Sequence, residues 1–336
     1  MVSKALKRSP FLRTEVRDMK LWEGMGIQEL VRQMGFSGGF SAKSVAKGVE
    51  ILTEMFRDED CKIFLSFPAC IVATGLRGAL ADLVRRGFVD AIITAGGTFD
   101  HDLARAWGGS YYHGSFYADD VELHKVDIHR LGNIFIPMEN YGILLEAKMK
   151  PVLEEIAKGG ARLSVRELAM EFGSRLEDPN SILFQAARAK VPIYSLGILD
   201  SAFGSQLFFF AQTRDFQVDF WKDMKELIEL VMEAKKTGAI IIGGGISKHT
   251  LIWFNQFRGG LDMAVSITTA VEYDGSLSGA RLREAISWGK VKEGAKEVTI
   301  DGEATVLLPL MLTAAYEGLK ETRSKEKMNE NERMDV

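Results

Sequence analysis

A segment near the end of the chain combines residues that could bind and attack an alkyl amine. It begins with Glu272-Tyr273-Asp274-Gly275 and ends with Glu284 and Trp288-Gly289-Lys290. A carboxylate neutralises an ammonium, an indole face covers methylenes or a cation, and a lysine beside other cations can become a nucleophile. From spacing alone, the favoured interpretation is simpler: a capped helix with a core tryptophan and a surface lysine.

The composition is that of an ordinary soluble globular protein. The 336 residues are 46% hydrophobic and 26% charged, with a net charge of −4 and a pI near 5.9. This balance gives no electrostatic reason to expect nucleic acid or an anionic membrane as a partner. No apolar run is long enough to span a bilayer, and no apolar segment of a signal peptide follows the basic N-terminus. We therefore predict a cytoplasmic protein.

The metal-ligating residue types are scattered through the sequence. Cys61 and Cys70 lie in or beside an apolar run, without a CxxC pattern or a histidine at ligand spacing. Reduced, buried thiols are the simpler interpretation of these two cysteines. Four histidines are assigned no role: His101, His113, His124 and His129. We predict no metal site.

Short apolar runs alternate with helical patterns. The runs, which are typical of strands buried on both faces of a sheet, cover residues 63–65, 91–93, 134–136, 191–199, 239–242 and 263–268. Apolar residues at helical spacing start between them at Val45, Leu76 and Phe220, and Ser164 with Glu167 forms a capping-box pattern. This alternation predicts an α/β fold with a Rossmann-like, doubly wound parallel sheet and helices on both faces.

The chain lacks a linker or an internal repeat, so we predict a single large domain with N-terminal helical additions. The predicted boundaries are an extension with a helix over 1–34, the α/β domain over 35–320 and a polar tail over 321–336. The tail has almost nothing to bury and is predicted to be disordered.

Two glycine clusters directly follow predicted strands. They are Thr94-Ala95-Gly96-Gly97 and Gly243-Gly244-Gly245. Ligands of open parallel sheets bind beyond the carboxyl ends of strands, where small residues let a dinucleotide approach the backbone. Each cluster alone is a weak signal, because glycine is common in turns and no GxGxxG fingerprint is present.

Five separated blocks together resemble the deoxyhypusine synthase family, with an archaeal-type or deoxyhypusine synthase-like member as the expected kind. They are Thr94-Ala95-Gly96-Gly97, Arg130-Leu131-Gly132-Asn133, Gly243-Gly244-Gly245 with Lys248-His249, Asp274-Gly275 with Trp288-Gly289-Lys290, and Glu303-Ala304. The similarity extends from about Gly35 to about Ala314. It implies an NAD-dependent transferase that moves the aminobutyl group of spermidine, through an imine on Lys290, to a lysine of the translation factor 5A precursor. Family members are homotetramers with active sites at dimer interfaces.

The resemblance also implies roles for individual residues. Lys290 would be the nucleophile and His249 an acid/base or polar contact. Substrate contacts would come from Trp288, Glu284, Asp274 and Ser205. The NAD site would contain Thr94, Ala95, Gly96, Asp200, Gly243, Gly244, Thr269, Ala270, Asp274, Gly275, Glu303 and Ala304. From the sequence alone, Asp200 is nearly as well explained as a helix N-cap, and Lys248 as a surface or helix-start residue.

The chain departs from the eukaryotic-type pattern at positions that would bind ammonium groups. Ser205 and Leu277 stand where that pattern has acids, and Asp100 or Asp102 is the candidate replacement for an acid near the cofactor. An alternative hypothesis is therefore a changed polyamine preference, in which the aminobutyl group is transferred to a small amine such as putrescine, as in homospermidine synthesis. A third hypothesis is a non-catalytic NAD- or polyamine-binding protein.

Overall fold

A computed structural model describes residues 12–334, with side chains described as far as residue 320. The strands are β1 (Cys61–Phe67), β2 (Ala91–Thr94), β3 (Tyr112–His113), β4 (Ile128–Leu131), β5 (Ile134–Pro137), β6 (Ala161–Leu163), β7 (Ile193–Tyr194), β8 (Phe216–Val218), β9 (Lys236–Ile242), β10 (Leu261–Thr268) and β11 (Val291–Asp301). The α-helices are α1 (Ile27–Ser37), α2 (Phe40–Arg57), α3 (Leu76–Arg85), α4 (Gly97–Ala106), α5 (Asp120–Lys125), α6 (Gly142–Ile156), α7 (Val165–Gly173), α8 (Ile182–Ala189), α9 (Ala202–Ala211), α10 (Phe220–Glu233), α11 (Ile246–Gln256) and α12 (Ala304–Met334).

Six strands form the central sheet, in the order β7-β2-β1-β9-β10-β11. Every neighbouring pair is parallel. The order of connection reverses between β1 and β9, which makes their carboxyl ends the switch point where ligands of such sheets bind. The predicted doubly wound, Rossmann-like α/β fold is confirmed.

Helices cover both faces of this sheet. Neighbouring strand residues point to opposite faces, so Leu65 packs into one buried cluster and Phe64 into the other. The first cluster includes Leu52 of α2 and Leu80 of α3, whereas the second includes Leu251 of α11. Because both faces are buried, the central strands are nearly continuous apolar runs, as predicted.

Two predicted strands differ from the structure. Residues 134–136 form β5, which pairs with β3 and β4 in a small antiparallel sheet outside the central one. The run at 191–199 contributes only the two-residue strand β7 before the chain turns. Strand β11 was not predicted, because it lies at the sheet edge and mixes buried with exposed, charged residues.

The two ends of the described chain pack together. Gln28 N of α1 donates to Glu317 Oε2 of α12 at 2.8 Å, and Phe88 stacks on both Phe56 and Tyr316, whose rings also contact each other. Helix α12 continues through 321–334, where the sequence predicted a disordered tail. That segment is rich in lysine, glutamate and arginine, which extend an existing helix readily. Residues 1–11 and 335–336, which belong to the predicted extension and tail, lie outside the described residues.

Candidate active site

The segment that the sequence singled out is a loop from the end of β10 to the start of β11. Arg281 holds it in place, because its guanidinium pairs with Glu272 Oε1 at 2.9 Å and with Asp301 Oδ1 at 2.5 Å. Gly289 has a φ of 66°, a conformation that costs little only for glycine. This turn lets Lys290 N donate to Ala285 O at 3.0 Å, while Lys290 O accepts from Leu261 N at 3.1 Å. The backbone of Lys290 is thus fixed on both sides.

Lys290 points into a cavity of about 330 Å³ between this loop and α11. Only 7% of the residue is exposed, and its Nζ lies 5.2 Å from the ring centroid of Trp288 and 5.4 Å from that of Trp253. Within the described part of the chain, Nζ has no hydrogen-bond or carboxylate partner. The amine therefore lies between two aromatic faces, which can interact with a cation.

The cavity also contains other predicted substrate residues. It is lined by Lys248, His249, Ile252, Trp253, Leu277, Ala280, Arg281, Leu282, Glu284, Ala285, Trp288 and Lys290. Glu284 is its single lining carboxylate among the described residues. Leu277, which replaces an expected acid, contributes apolar wall. This chemistry suits an alkyl chain that carries few cationic groups.

His249 lies on the first turn of α11, and its ring stacks on Trp253 with centroids 5.6 Å apart. Burial, and then the positive charge of Lys290, hold the pKa of His249 below its ordinary value. Its imidazole is therefore neutral at physiological pH and can accept a proton from an amine in the cavity.

Lys248 lies in the first turn of α11, as one of its two sequence interpretations predicted, but it is buried rather than on the surface. It is 1% exposed, and its Nζ donates to Ala280 O in the loop at 2.6 Å. Burial lowers its pKa to about 8, with Glu284 raising and Arg281 lowering it further. No carboxylate of the described residues forms an ion pair with this ammonium. Lys248 thus ties α11 to the loop at the cost of a buried charge.

Stability measurements test the buried charge of Lys248. The folded state binds this proton less tightly than the unfolded chain, so the free energy of unfolding should rise with pH between about 8 and 10.5. Lys248→Met removes this contribution, on the order of 3 kcal/mol across the window. Urea unfolding at neutral and alkaline pH would measure it. Equal pH dependence in the original protein and the variant would contradict the assignment, and Lys296→Met serves as an exposed control.

The predicted cofactor residues gather at the carboxyl edge of the sheet. Thr94 ends β2, and the other residues lie in the segments after the strands: Ala95 and Gly96 after β2, Gly243 and Gly244 after β9, Thr269 and Ala270 after β10 with Asp274 and Gly275 further along the same loop, Glu303 and Ala304 after β11, and Asp200 between β7 and α9. Gly243 and Gly244 both have positive φ, at 48° and 85°, and they lie at the switch point. A backbone of this kind, without side chains, allows a phosphate group to approach closely.

Several of these residues already have close neighbours within the chain. The Thr94 hydroxyl donates to Phe67 O at 2.9 Å. Gly96 is so tightly packed that an added Cβ would lie 2.6 Å from Ser201 Oγ. Glu303 accepts from Thr305 N at 2.9 Å, as a cap of α12. Thr94 and Gly96 therefore shape the edge, and any contact they make with a ligand uses the backbone.

Asp100 and Asp102 are structural carboxylates rather than replacements for a missing acid. Asp100 caps α9, accepting from Ala202 N and Phe203 N at 3.0 and 2.7 Å. Asp102 caps α8 and pairs with Arg77 at 2.5 Å. Because both are buried, neither carboxylate is available to a ligand.

Two further predicted residues lie apart from the lysine cavity. Ser205 is exposed on α9, and its hydroxyl donates to Ser201 O at 2.9 Å. Asp200 is also exposed and lies two residues before α9. The N-cap of this helix is Ser201 rather than Asp200. Asp200 is thus open to a ligand at the carboxyl edge.

Comparison with known proteins decides the family. The sequence profile of deoxyhypusine synthase matches residues 29–315. The chain belongs to the deoxyhypusine synthase family. A "Probable deoxyhypusine synthase" of Sulfurisphaera tokodaii is 48% identical over 306 residues, which cover 91% of this chain and 98% of that protein. A protein of the same name from Sulfolobus acidocaldarius is 49% identical, with the same coverage.

A solved structure supports the fold. The crystal structure of an Entamoeba histolytica protein assigned to deoxyhypusine synthases superposes with a TM-score of 0.65 at 20% identity. The match covers 90% of this chain and 97% of that one. Membership of the deoxyhypusine synthase family makes this chain an enzyme, a transferase.

The described residues offer no candidate for a membrane-spanning helix or a metal site. No helix among the described residues is both long and apolar enough to cross a membrane. Within the same part of the chain, His, Cys, Asp and Glu side chains do not cluster in threes as a metal ion would require.

Proposed function

We propose that this protein transfers the aminobutyl group of spermidine, through an imine on Lys290, to a lysine of the translation factor 5A precursor. The observation that carries the proposal is a buried lysine held between two indoles, in a member of this family. The amine of Lys290 must be neutral to act as a nucleophile. Neutral His249 beside it can take up the proton.

NAD is the proposed cofactor, and the carboxyl edge fits it. The glycines with positive φ at the switch point leave room for a pyrophosphate, and the exposed carboxylate of Asp200 can accept hydrogen bonds from ribose hydroxyls. When bound, NAD would supply reversible hydride transfer, which oxidises the donor amine to an imine and reduces the product imine, so that the overall reaction is redox-neutral.

The residues of the cavity then carry out the group transfer. Neutral Lys290 attacks the C=N carbon, the bond from that carbon to the diaminopropane nitrogen breaks, and diaminopropane leaves as an amine with the two protons that Lys290 gives up. The aminobutyl group remains on Nζ as an imine. A neutral acceptor lysine then adds to the same carbon, the bond from that carbon to Nζ breaks, and Lys290 regains two protons from the acceptor nitrogen. Trp288 covers the methylenes, Glu284 pairs with the terminal ammonium, and the apolar walls limit hydrolysis.

The positions of the two half-sites support a shared site between subunits. Lys290 O pairs with the first residue of β10, whereas Thr269 and Ala270 follow the last residue of that strand. A strand of this length spans about 23 Å, so the lysine backbone and the cofactor edge of one chain lie at opposite ends of the sheet. We therefore propose that a second chain completes each site, within the homotetramer expected for the family. Exposed Trp253, Phe257 and Trp288 beside the cavity fit such an interface.

The acceptor and the compartment belong to the same proposal. The apolar Leu277 in the cavity wall is the observation that favours an altered polyamine preference, so putrescine is the second candidate acceptor. Both cysteines are free, which supports the cytoplasm as the working compartment.

A trapping experiment tests the proposal. The protein is incubated with NAD and spermidine, reduced with borohydride and digested, and an aminobutyl adduct is sought on Lys290 by mass spectrometry. We expect the adduct to form only with both compounds present, and to be lost on adding the acceptor protein or putrescine, whichever is the true acceptor. Bound NAD without any adduct would contradict spermidine as the donor.

A further inference from the structure

Trp253 lines this site, and no role was predicted for it from the sequence. It lies one helical turn after His249 on α11, and the two rings stack at an interplanar angle of 23°. The Nζ of Lys290 lies over its ring at 5.4 Å and over that of Trp288 at 5.2 Å. Two indoles from different elements thus face one nitrogen.

The charged groups around this nitrogen leave the two rings as its stabilising partners when it carries a positive charge. The titratable groups that line the same cavity are Lys248, His249, Arg281 and Glu284. Three of these four carry or can carry positive charge, and the described residues place no carboxylate within ion-pair distance of Nζ. The electron-rich indole faces are therefore the groups that directly stabilise a cation at Nζ.

We propose that Trp253 and Trp288 form a cation cage that takes the place of a counter-ion for Lys290. The cage holds the ammonium of the free protein and then the protonated imine, since both put the positive charge on the same nitrogen. A protonated imine is the electrophile that an incoming amine attacks. Trp253 is accordingly a catalytic residue for the transfer steps, in a role that rests on the proposed function.

The chemistry of the cage can be tested without any substrate. Lys290 is acetylated with trace acetic anhydride at neutral and at strongly alkaline pH, with Lys296, on the same strand and exposed, as internal reference. The ratio of the neutral to the alkaline rate cancels differences in accessibility. For Trp253→Leu we expect this ratio to rise about 2- to 30-fold, because loss of a cation–π contact leaves more Lys290 neutral. Trp253→Phe keeps an aromatic face and should stay near the original ratio.

The control and the second readout separate the two proposals. Trp221→Phe, at an exposed position on α10, should leave the ratio unchanged. A ratio for Trp253→Leu that is unchanged or lower would overturn the cage. With NAD and spermidine, Trp253→Leu should slow adduct formation on Lys290 more than Trp253→Phe does. If the original protein forms no adduct, the proposed function fails, while the acetylation ratio still decides the cage.

Discussion

Lys290→Arg is expected to reduce adduct formation and aminobutyl transfer by at least about 10³-fold. Arginine preserves the positive charge between the two indoles, but its guanidinium does not release a proton to become a nucleophile. The fold should be retained, because a cation can still lie over the rings. The loss is measured as the rate of trapped adduct and of product, with NAD binding followed separately.

The matched control for this change is Lys296→Arg. Lys296 lies on the same strand, is exposed and pairs with Glu54, so its replacement should leave the transfer rate unaltered. Transfer activity in Lys290→Arg within tenfold of the original would exclude Lys290 as the nucleophile.

Asp102→Asn should destabilise the protein by about 3–5 kcal/mol, because it leaves a buried guanidinium with incomplete compensation. The Asp102 carboxylate accepts from Arg77 Nε, Ser181 Oγ and the first backbone amides of α8. An amide has one acceptor oxygen, and its NH₂ group would face donors. The change is measured as the shift in the urea unfolding midpoint.

Asp120→Asn provides the comparison for this prediction. Asp120 also pairs with an arginine, Arg130, but this pair lies on the surface, where water replaces the lost contact. We expect no measurable change of the midpoint in this variant. Equal effects of the two substitutions would show that Asp102 has no special structural role.

The sequence predicted the central sheet because its strands are buried on both faces. The runs that became β1, β9 and β10 have few polar residues, and this follows from helices on both sides. Strand β11 escaped prediction for the opposite reason, since an edge strand tolerates charges such as Lys292 and Glu293. Its place depends on pairing with β10, which is a tertiary property.

The lysine cavity was predicted in part. Lys290, Trp288, Glu284 and His249 were found through family blocks, and the structure brings them together. Trp253 was missed although it stands four residues after His249, a spacing that puts both rings on one helix face. That spacing is the signal that could have revealed it.

The burial of Lys248, Asp100 and Asp102 could not be predicted from the sequence. A lysine after glycines normally marks a solvated helix start, and only the loop that folds over α11 buries Lys248. Asp100 and Asp102 likewise look like free acids until α8 and α9 place their amino ends against them. These partners are distant in the chain, so no local pattern records them.

The place of Lys290 immediately before the last strand couples its reactivity to completion of the fold. Synthesis proceeds from the N-terminus, so the segments that form β2 and β9, with the glycines that follow them, are made before Lys290. Until β11 pairs with β10, the amine is an ordinary solvated lysine with no cage around it. In a nascent or partly unfolded chain, we therefore expect Lys290 to form unwanted imines with cellular carbonyl compounds no faster than a surface lysine does.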